Sequence, residues 1–232
     1  MPGTGWGAPP GSEEIALTSI EMAPAAEAEH AVGFDGMNVS VFGAAGRTGR
    51  EVVDEAIARG HTVTAVARRS PDPPLNATAA TVIADARDTA AVSSALEDVD
   101  AVLSAMGPVG DQPGSSYSDG IAALVKSMEA STVRRLVIAA NARVLDDRPL
   151  EGPYAAVSQE HRRALDALRR SVLDWTVIAA PMLSDAEARH AYEATVDGRG
   201  EGRSTARGNF AIALVDALDH DEWLRHVVDV TD

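Results

Sequence analysis

The stretch Val39-Ser40-Val41-Phe42-Gly43-Ala44-Ala45-Gly46-Arg47-Thr48-Gly49 decides the fold. A short apolar run ends at a glycine, and two more glycines follow at intervals of three. Beyond them Val52, Val53, Ala56 and Ile57 recur at helical spacing until Gly60 closes the segment. The pattern is strand, tight turn, helix. Gly43 lets the chain turn sharply off the strand, Gly46 leaves no side chain in the way of a pyrophosphate, and Gly49 lets the helix pack closely on the sheet. Backbone N–H groups at the helix start, aided by the helix dipole, then face the phosphates. A Gly-x-x-Gly-x-x-Gly string alone is a weak signal, and a simple tight turn is its plain alternative. Placed between an apolar strand and an amphipathic helix, it points to a dinucleotide.

Outward from this loop the alternation continues. Strands are expected at residues 61–67, 79–84, 101–106, 136–140 and 175–180, with helices at 89–96, 116–130 and 155–171 between them. Strands apolar on both faces, alternating with amphipathic helices, predict an α/β, Rossmann-type fold: a doubly wound parallel sheet with helices on both faces. Ligands then lie at the carboxyl ends of the strands, near the switch point between the first and fourth. Residues 192–196, a helix near 207–218 and a last strand near 227–230 read as a small C-terminal substrate cap.

Upstream the composition changes. Residues 1–36 hold four prolines, six glycines, six acids and no Lys or Arg, which reads as a flexible acidic leader. Within it residues 13–22 could form a short helix. Residues 37–232 are expected to form the NAD(P)-binding Rossmann domain. The formal charge of -15 argues against nucleic acid or an anionic membrane as partner, leaving a small-molecule substrate. No apolar run is long enough to span a bilayer, and residues 1–36 lack the basic and apolar regions of a signal peptide, so a cytoplasmic protein is expected. The absence of cysteine excludes disulfides, thiolate catalysis and zinc-thiolate sites. Lys126 is the one lysine, so any lysine chemistry falls to it. Oligomeric state leaves no mark in the sequence.

Cofactor preference is read at the end of the second strand. An acid there would hold the adenosine ribose hydroxyls, but the chain presents Ala67-Arg68-Arg69-Ser70. Guanidinium forks match a phosphate dianion, so Arg68 with Arg47 favours NADP(H); two solvated surface arginines are the alternative. Asp85, closing the third strand, is placed to meet the adenine amino group or to cap a turn. Met106-Gly107-Pro108 ends the fourth strand, where the nicotinamide-side ribose would lie.

A catalytic centre is harder to find. The common short-chain dehydrogenase needs a tyrosine four residues before a lysine, whose ammonium lowers the phenol pKa. Tyr117, Tyr154 and Tyr192 are followed at that distance by Ile121, Ser158 and Val196, so the pair is absent. No Gly-x-Ser-x-Gly elbow occurs, and no two histidines fall at metal-ligand spacing, so no metal site is expected. Asn141, after the fifth strand, offers a donor and an acceptor where substrate would lie, or simply forms a turn. His161, on the following helix, points either into the cleft or to the surface.

With these residues in place, residues 37–232 resemble the atypical short-chain dehydrogenase/reductase family, in particular its flavin reductase/biliverdin-IXβ reductase type, with NmrA-like proteins as wider kin. The matching stretches are Val41 to Gly49, Val66-Ala67-Arg68, Ala84-Asp85, Asp100-Ala101-Val102, Leu173 to Ile178 and Val196-Asp197-Gly198-Arg199-Gly200. The resemblance implies a nicotinamide laid against a planar acceptor, with the proton drawn from solvent. It implies cofactor roles for Gly43, Ala45, Gly46, Arg47, Thr48, Arg68, Asp85, Met106 and Gly107. The departures fall near the chemistry: Asn141 stands where a serine is typical, Met182 where a histidine sometimes follows the strand-six proline Pro181, and Ala45 where a threonine is usual. Asn141, Met182 and His161 are therefore the catalytic candidates. The expected function is an NADPH-dependent reductase passing hydride to a flavin, quinone or related conjugated acceptor. An NADP(H) sensor without turnover, and a cyclase or isomerase reusing the cleft, are the alternatives.

Overall fold

The computed structural model describes residues 20–21, 36–108, 116–146, 151–152 and 154–232. Its elements follow the sequence rhythm: β1 (Ile20–Glu21), β2 (Asn38–Phe42), α1 (Arg47–Ala58), β3 (Thr62–Ala67), β4 (Ala80–Ile83), α2 (Thr89–Ser94), β5 (Ala101–Ser104), α3 (Ser116–Glu129) and β6 (Arg135–Asn141). There follow α4 (Ala155–Arg170), β7 (Asp174–Ala180), β8 (Leu183–Ser184), β9 (Glu193–Val196), β10 (Thr205–Ala206), α5 (Arg207–Asp216) and β11 (Val227–Thr231). Nine strands form one sheet in the order β1-β9-β11-β7-β6-β5-β2-β3-β4. From β4 to β11 all neighbours are parallel; β9 runs antiparallel to β11, and β1 antiparallel to β9. After β2 the chain winds outward to β3 and β4, then returns to β5 on the other side of β2. That reversal is the switch point.

Alternation along the strands divides the core in two. Val39 and Val41 face Val52, Val53 and Ala56 of α1 and Phe210 and Leu214 of α5. Phe42, Val102, Leu136 and Ile138 face Val92, Ile121, Leu124, Ala164 and Leu168 of α2, α3 and α4. Both faces of the central strands are thus covered, each large buried side chain contributing roughly 1.5–3 kcal/mol of hydrophobic free energy. The doubly wound Rossmann reading of the sequence is correct.

The C-terminal segment differs from expectation. β9 and β11 do not cap the site; they extend the sheet beyond β7, and Val228 and Val230 join the core under α5. An exposed-looking short strand becomes central once its partner is non-local. Among the described residues, only the two-stranded pairing of β8 with β10 stands outside the main sheet. Likewise the leader contributes β1 to the sheet edge, so Ile20–Glu21 is strand where a short helix was expected. The rest of residues 1–35 lies outside the described residues.

The Asp197-Gly198-Arg199-Gly200 stretch has a structural job. Arg199 donates to Asp229 Oδ2 (3.2 Å), Asp146 Oδ1 (2.9 Å) and Ala142 O (3.3 Å), tying the end of β9 to β11 and to the turn after β6. Asp229 is fully buried, and burial pushes its carboxyl up, against the opposing pull of the Gly200 N–H and Arg199.

Close packing at the loop gives a direct test. A Cβ at Gly49 would lie 2.1 Å from the Gly43 carbonyl oxygen, whereas one at Gly107 would meet nothing within 4 Å. Gly49→Ala gains roughly 1 kcal/mol of helix propensity, but forcing backbone apart typically costs about 1–3 kcal/mol beyond such gains. Urea denaturation should show Gly49→Ala net destabilised by about 1 kcal/mol or more, with Gly107→Ala within about 0.5 kcal/mol of the parent.

Candidate functional site

The glycine loop is shaped by two close approaches. Gly43 has φ +77°, and a Cβ there would lie 2.8 Å from Met106 N and 3.0 Å from Ala105 C, at the end of β5. Gly49 presses against the Gly43 carbonyl from the other side. The loop is therefore squeezed between the first turn of α1 and the neighbouring strand end. Gly46 donates to Gly43 O (2.9 Å) and stands at the N-cap of α1 without a side-chain cap. The helix opens with no acid in its first turn, leaving its first amides available to an anion.

Two cavities of about 220 Å³ each flank the end of β5. The first is walled by Gly43 and Gly46 of the loop, by Arg68 and Asp85 at the ends of β3 and β4, and by Tyr117 and Gly120 of α3. The second is walled by Thr48, Ala139, Asn141, Val157, His161, Met182, Leu183 and Phe210. Ala105, Met106 and Gly107 belong to both, so the two cavities adjoin across the switch point. This is the shape a dinucleotide requires: an adenosine compartment, a phosphate bridge at the helix start and a second compartment for the nicotinamide. A larger groove of about 750 Å³ beside α4 is lined by Arg162, Arg169, Arg225 and Trp175 but by no residue of the glycine loop, and has no such correspondence.

Of the residues read from the sequence, Gly43, Gly46, Arg68, Asp85, Met106 and Gly107 line the first cavity. Thr48, Asn141, His161 and Met182 line the second. Ala45 lies on the loop, half-buried, in neither lining. Arg47, expected on the same side of the pocket as Arg68, is in neither lining, and its exposed guanidinium meets Asp185 at 3.3 Å. Asp85 is engaged by Arg87, whose Nε and Nη2 donate at 2.9 and 2.8 Å, and these hydrogen bonds hold its carboxyl far below the usual range. Tyr117, Val157 and Phe210 were not anticipated, because each reaches the site from an element whose neighbours in space are distant in sequence; Arg87 was missed although it lies only two residues beyond Asp85.

The second compartment is chiefly apolar and carries no charged side chain. From α4 it is faced by Val157 and His161, four residues apart on one helix face, a spacing that holds here neither phenol nor ammonium. Asn141 Oδ1 accepts from Arg143 N (2.9 Å), which caps the short turn after β6, and Asn141 also lines the second compartment. His161 is 7% exposed, lies edge-on to Tyr117 at 4.7 Å, and its Nδ1 is buried without a partner. Burial pushes its pKa down to about 4, with a smaller opposing pull from Glu160, so the imidazole is neutral near pH 7. The Tyr117 hydroxyl donates to Ala139 O (3.0 Å), and burial pushes its phenol far up. Tyr117 is therefore a wall between the compartments rather than a proton donor. Met182 is an exposed thioether at the rim, 65% accessible. Among the described residues no cluster of three or more His, Asp or Glu side chains could hold a metal ion, and no helix is long and apolar enough to cross a membrane.

Comparison with known proteins agrees with this geometry. The model of the NAD(P)H-binding family matches residues 43–221, and the chain belongs to that family. Among solved structures it is similar to a Rossmann-fold NAD(P)-binding family protein from Shigella flexneri (22% identity, TM-score 0.69, covering 84% of this chain and 93% of that one). It is similar also to an oxidoreductase from Lactococcus lactis (18%, TM-score 0.75, 84% and 91%). A third is a wide-type short-chain dehydrogenase/reductase from Veillonella parvula in complex with NADP (17%, TM-score 0.68, 84% and 94%). These likenesses concern the fold.

The buried imidazole makes a pH prediction. His161 titrates near 4 when folded and near 6.5 when unfolded, so as pH falls through that window the unfolded chain takes up the proton first and the folded state loses stability. By pH 5 the loss from this one group is about 2 kcal/mol relative to pH 7. Urea denaturation of His161→Phe should show a pH 7 to pH 5 stability drop smaller than the parent's by about that amount; parallel curves would contradict the burial argument.

Proposed function

We propose that the chain is an NADPH-dependent reductase acting on a planar or conjugated small molecule, such as a flavin or quinone. The observation that carries this reading is the second compartment: a chiefly apolar, charge-free cavity that continues the dinucleotide path past the end of β5. The residues present fit the cofactor. Gly43 and Gly46 bring bare backbone to the wall of the first compartment, and the uncapped start of α1 follows directly. Bound there, NADPH would supply hydride from C4 of its nicotinamide to an acceptor stacked on the ring, becoming NADP+, while the reduced acceptor takes its proton from water.

The chain's own contribution is placement. Ala139, Phe210 and Leu183 exclude water from the ring faces, and Met182 adapts at the rim. The Asn141 amide is placed to hold a carboxamide or an acceptor carbonyl. His161, neutral over the working pH range, serves as a hydrogen-bonding wall and not as an acid. Preference for NADP(H) over NAD(H) rests on Arg68, exposed in the wall of the adenosine compartment with no acid at the end of β3. The proposed setting is the cytoplasm, where reduced nicotinamide is available.

Arg68→Ala should weaken NADP(H) binding about tenfold while leaving NAD(H) nearly unchanged, measured by titration calorimetry. With NADPH and a panel of flavins and quinones, absorbance at the nicotinamide band should fall for at least one acceptor. Asn141→Asp keeps the capping oxygen but removes the donor, and should lower kcat by about 10- to 100-fold with the fold intact. Binding without turnover across the whole panel would favour the sensor reading instead.

A further inference from the structure

At the lip between the glycine loop and α5, two arginines share one carboxylate. Arg207, the first residue of α5, donates from Nε (3.1 Å) and Nη2 (2.8 Å) to Asp185 Oδ1, and Arg47, the first residue of α1, donates to Asp185 Oδ2 (3.3 Å). The Arg207 guanidinium also donates from Nη1 to the Thr48 hydroxyl (3.1 Å), and Thr48 lines the second compartment. The pairing is lopsided in burial: the Arg207 side chain is 9% exposed, whereas Asp185 is 70% exposed.

A buried guanidinium cannot be left without an anion, but an exposed carboxylate loses little by returning to water. The pair is therefore built for exchange, and the anion that can replace Asp185 must arrive at the glycine loop. We propose that Asp185 is a resident counter-ion of the dinucleotide phosphate site, displaced from Arg47 and Arg207 when a cofactor phosphate enters. Arg47, once released, is free to turn toward the phosphates. The setting suits this exchange. Asp185 follows β8 directly, and its segment is held to α5 by Asn209, which accepts from Arg189 N and His190 N (3.1 Å each) and donates to Ala191 O (2.8 Å). The tether lets the carboxylate move while its loop stays attached. Glu51, whose carboxyl burial pushes up, is a second acid close enough to feel both Arg207 and Asp185. The exchange rests on NAD(P)H binding alone and does not require that the protein turn over.

Asp185→Asn tests it, with NADP+ titrated calorimetrically into the full-length protein and apo thermal melting followed in parallel. Removing the competitor should tighten NADP+ binding about fivefold or more while lowering the apo Tm, because the resident ion pair is lost. A merely structural clip would lower the Tm without tightening the cofactor, so unchanged or weaker binding overturns the proposal. Arg207→Gln should weaken NADP+; if that buried variant fails to fold, the exposed Arg47→Gln replaces it with the same expectation. Parent protein that binds neither NADP+ nor NAD+ would overturn the cofactor reading and this exchange with it.

Discussion

The contact on which the rest of this molecule depends is the approach of Gly49, in the first turn of α1, to the carbonyl of Gly43. Nothing larger than hydrogen fits at either residue, and β5 closes the other side of Gly43 through Ala105 and Met106. This squeeze sets where α1 begins and how it leans on the sheet. Its uncapped amides consequently open at the switch point, between the two compartments. The same lean brings α1 against α5, so that Arg207 of α5 reaches Thr48 of α1. Phosphate cradle and neighbouring arginine pair are consequences of one steric constraint.

Much of this was legible in the sequence because the signals are local. Gly43, Gly46 and Gly49 fall within one turn, and Val52, Val53 and Ala56 sit at helical spacing on a single face. The strands are short apolar runs whose alternation also assigns them to two cores. What was not legible is long-range. β9 and β11 look peripheral until antiparallel and parallel partners are known, and then they extend the sheet. Arg47 and Asp185 are separated by 138 residues, and nothing near Arg47 in the chain signals that contact. Tyr117 and His161 meet edge-on from two helices, a contact visible only once α3 and α4 lie side by side. The Asp-Gly-Arg-Gly stretch was legible as a motif but not as a brace: its arginine serves Asp229 and Asp146 and lines neither compartment.

Charge is distributed with corresponding economy. The chain carries a formal charge of -15, so an anionic cofactor must find its few cations in place. Arg68 stands exposed in the wall of the first compartment, while Arg87 is occupied by Asp85 and Arg47 and Arg207 by Asp185. The proposed acceptor compartment has no charged side chain, and its one histidine is held neutral by burial. Polar binding on one side of β5 and an apolar chamber on the other is the division of labour that hydride transfer between a dinucleotide and a planar ring would use.

A crystal structure with NADP+ bound tests the central claim, that the two compartments form one dinucleotide path across the end of β5. The account predicts pyrophosphate on the first amides of α1, the adenosine 2′-phosphate against Arg68, and the nicotinamide between Met106 and the wall of Asn141, His161 and Met182. A nicotinamide outside that chamber, or a nucleotide seated in the groove beside α4, would contradict it.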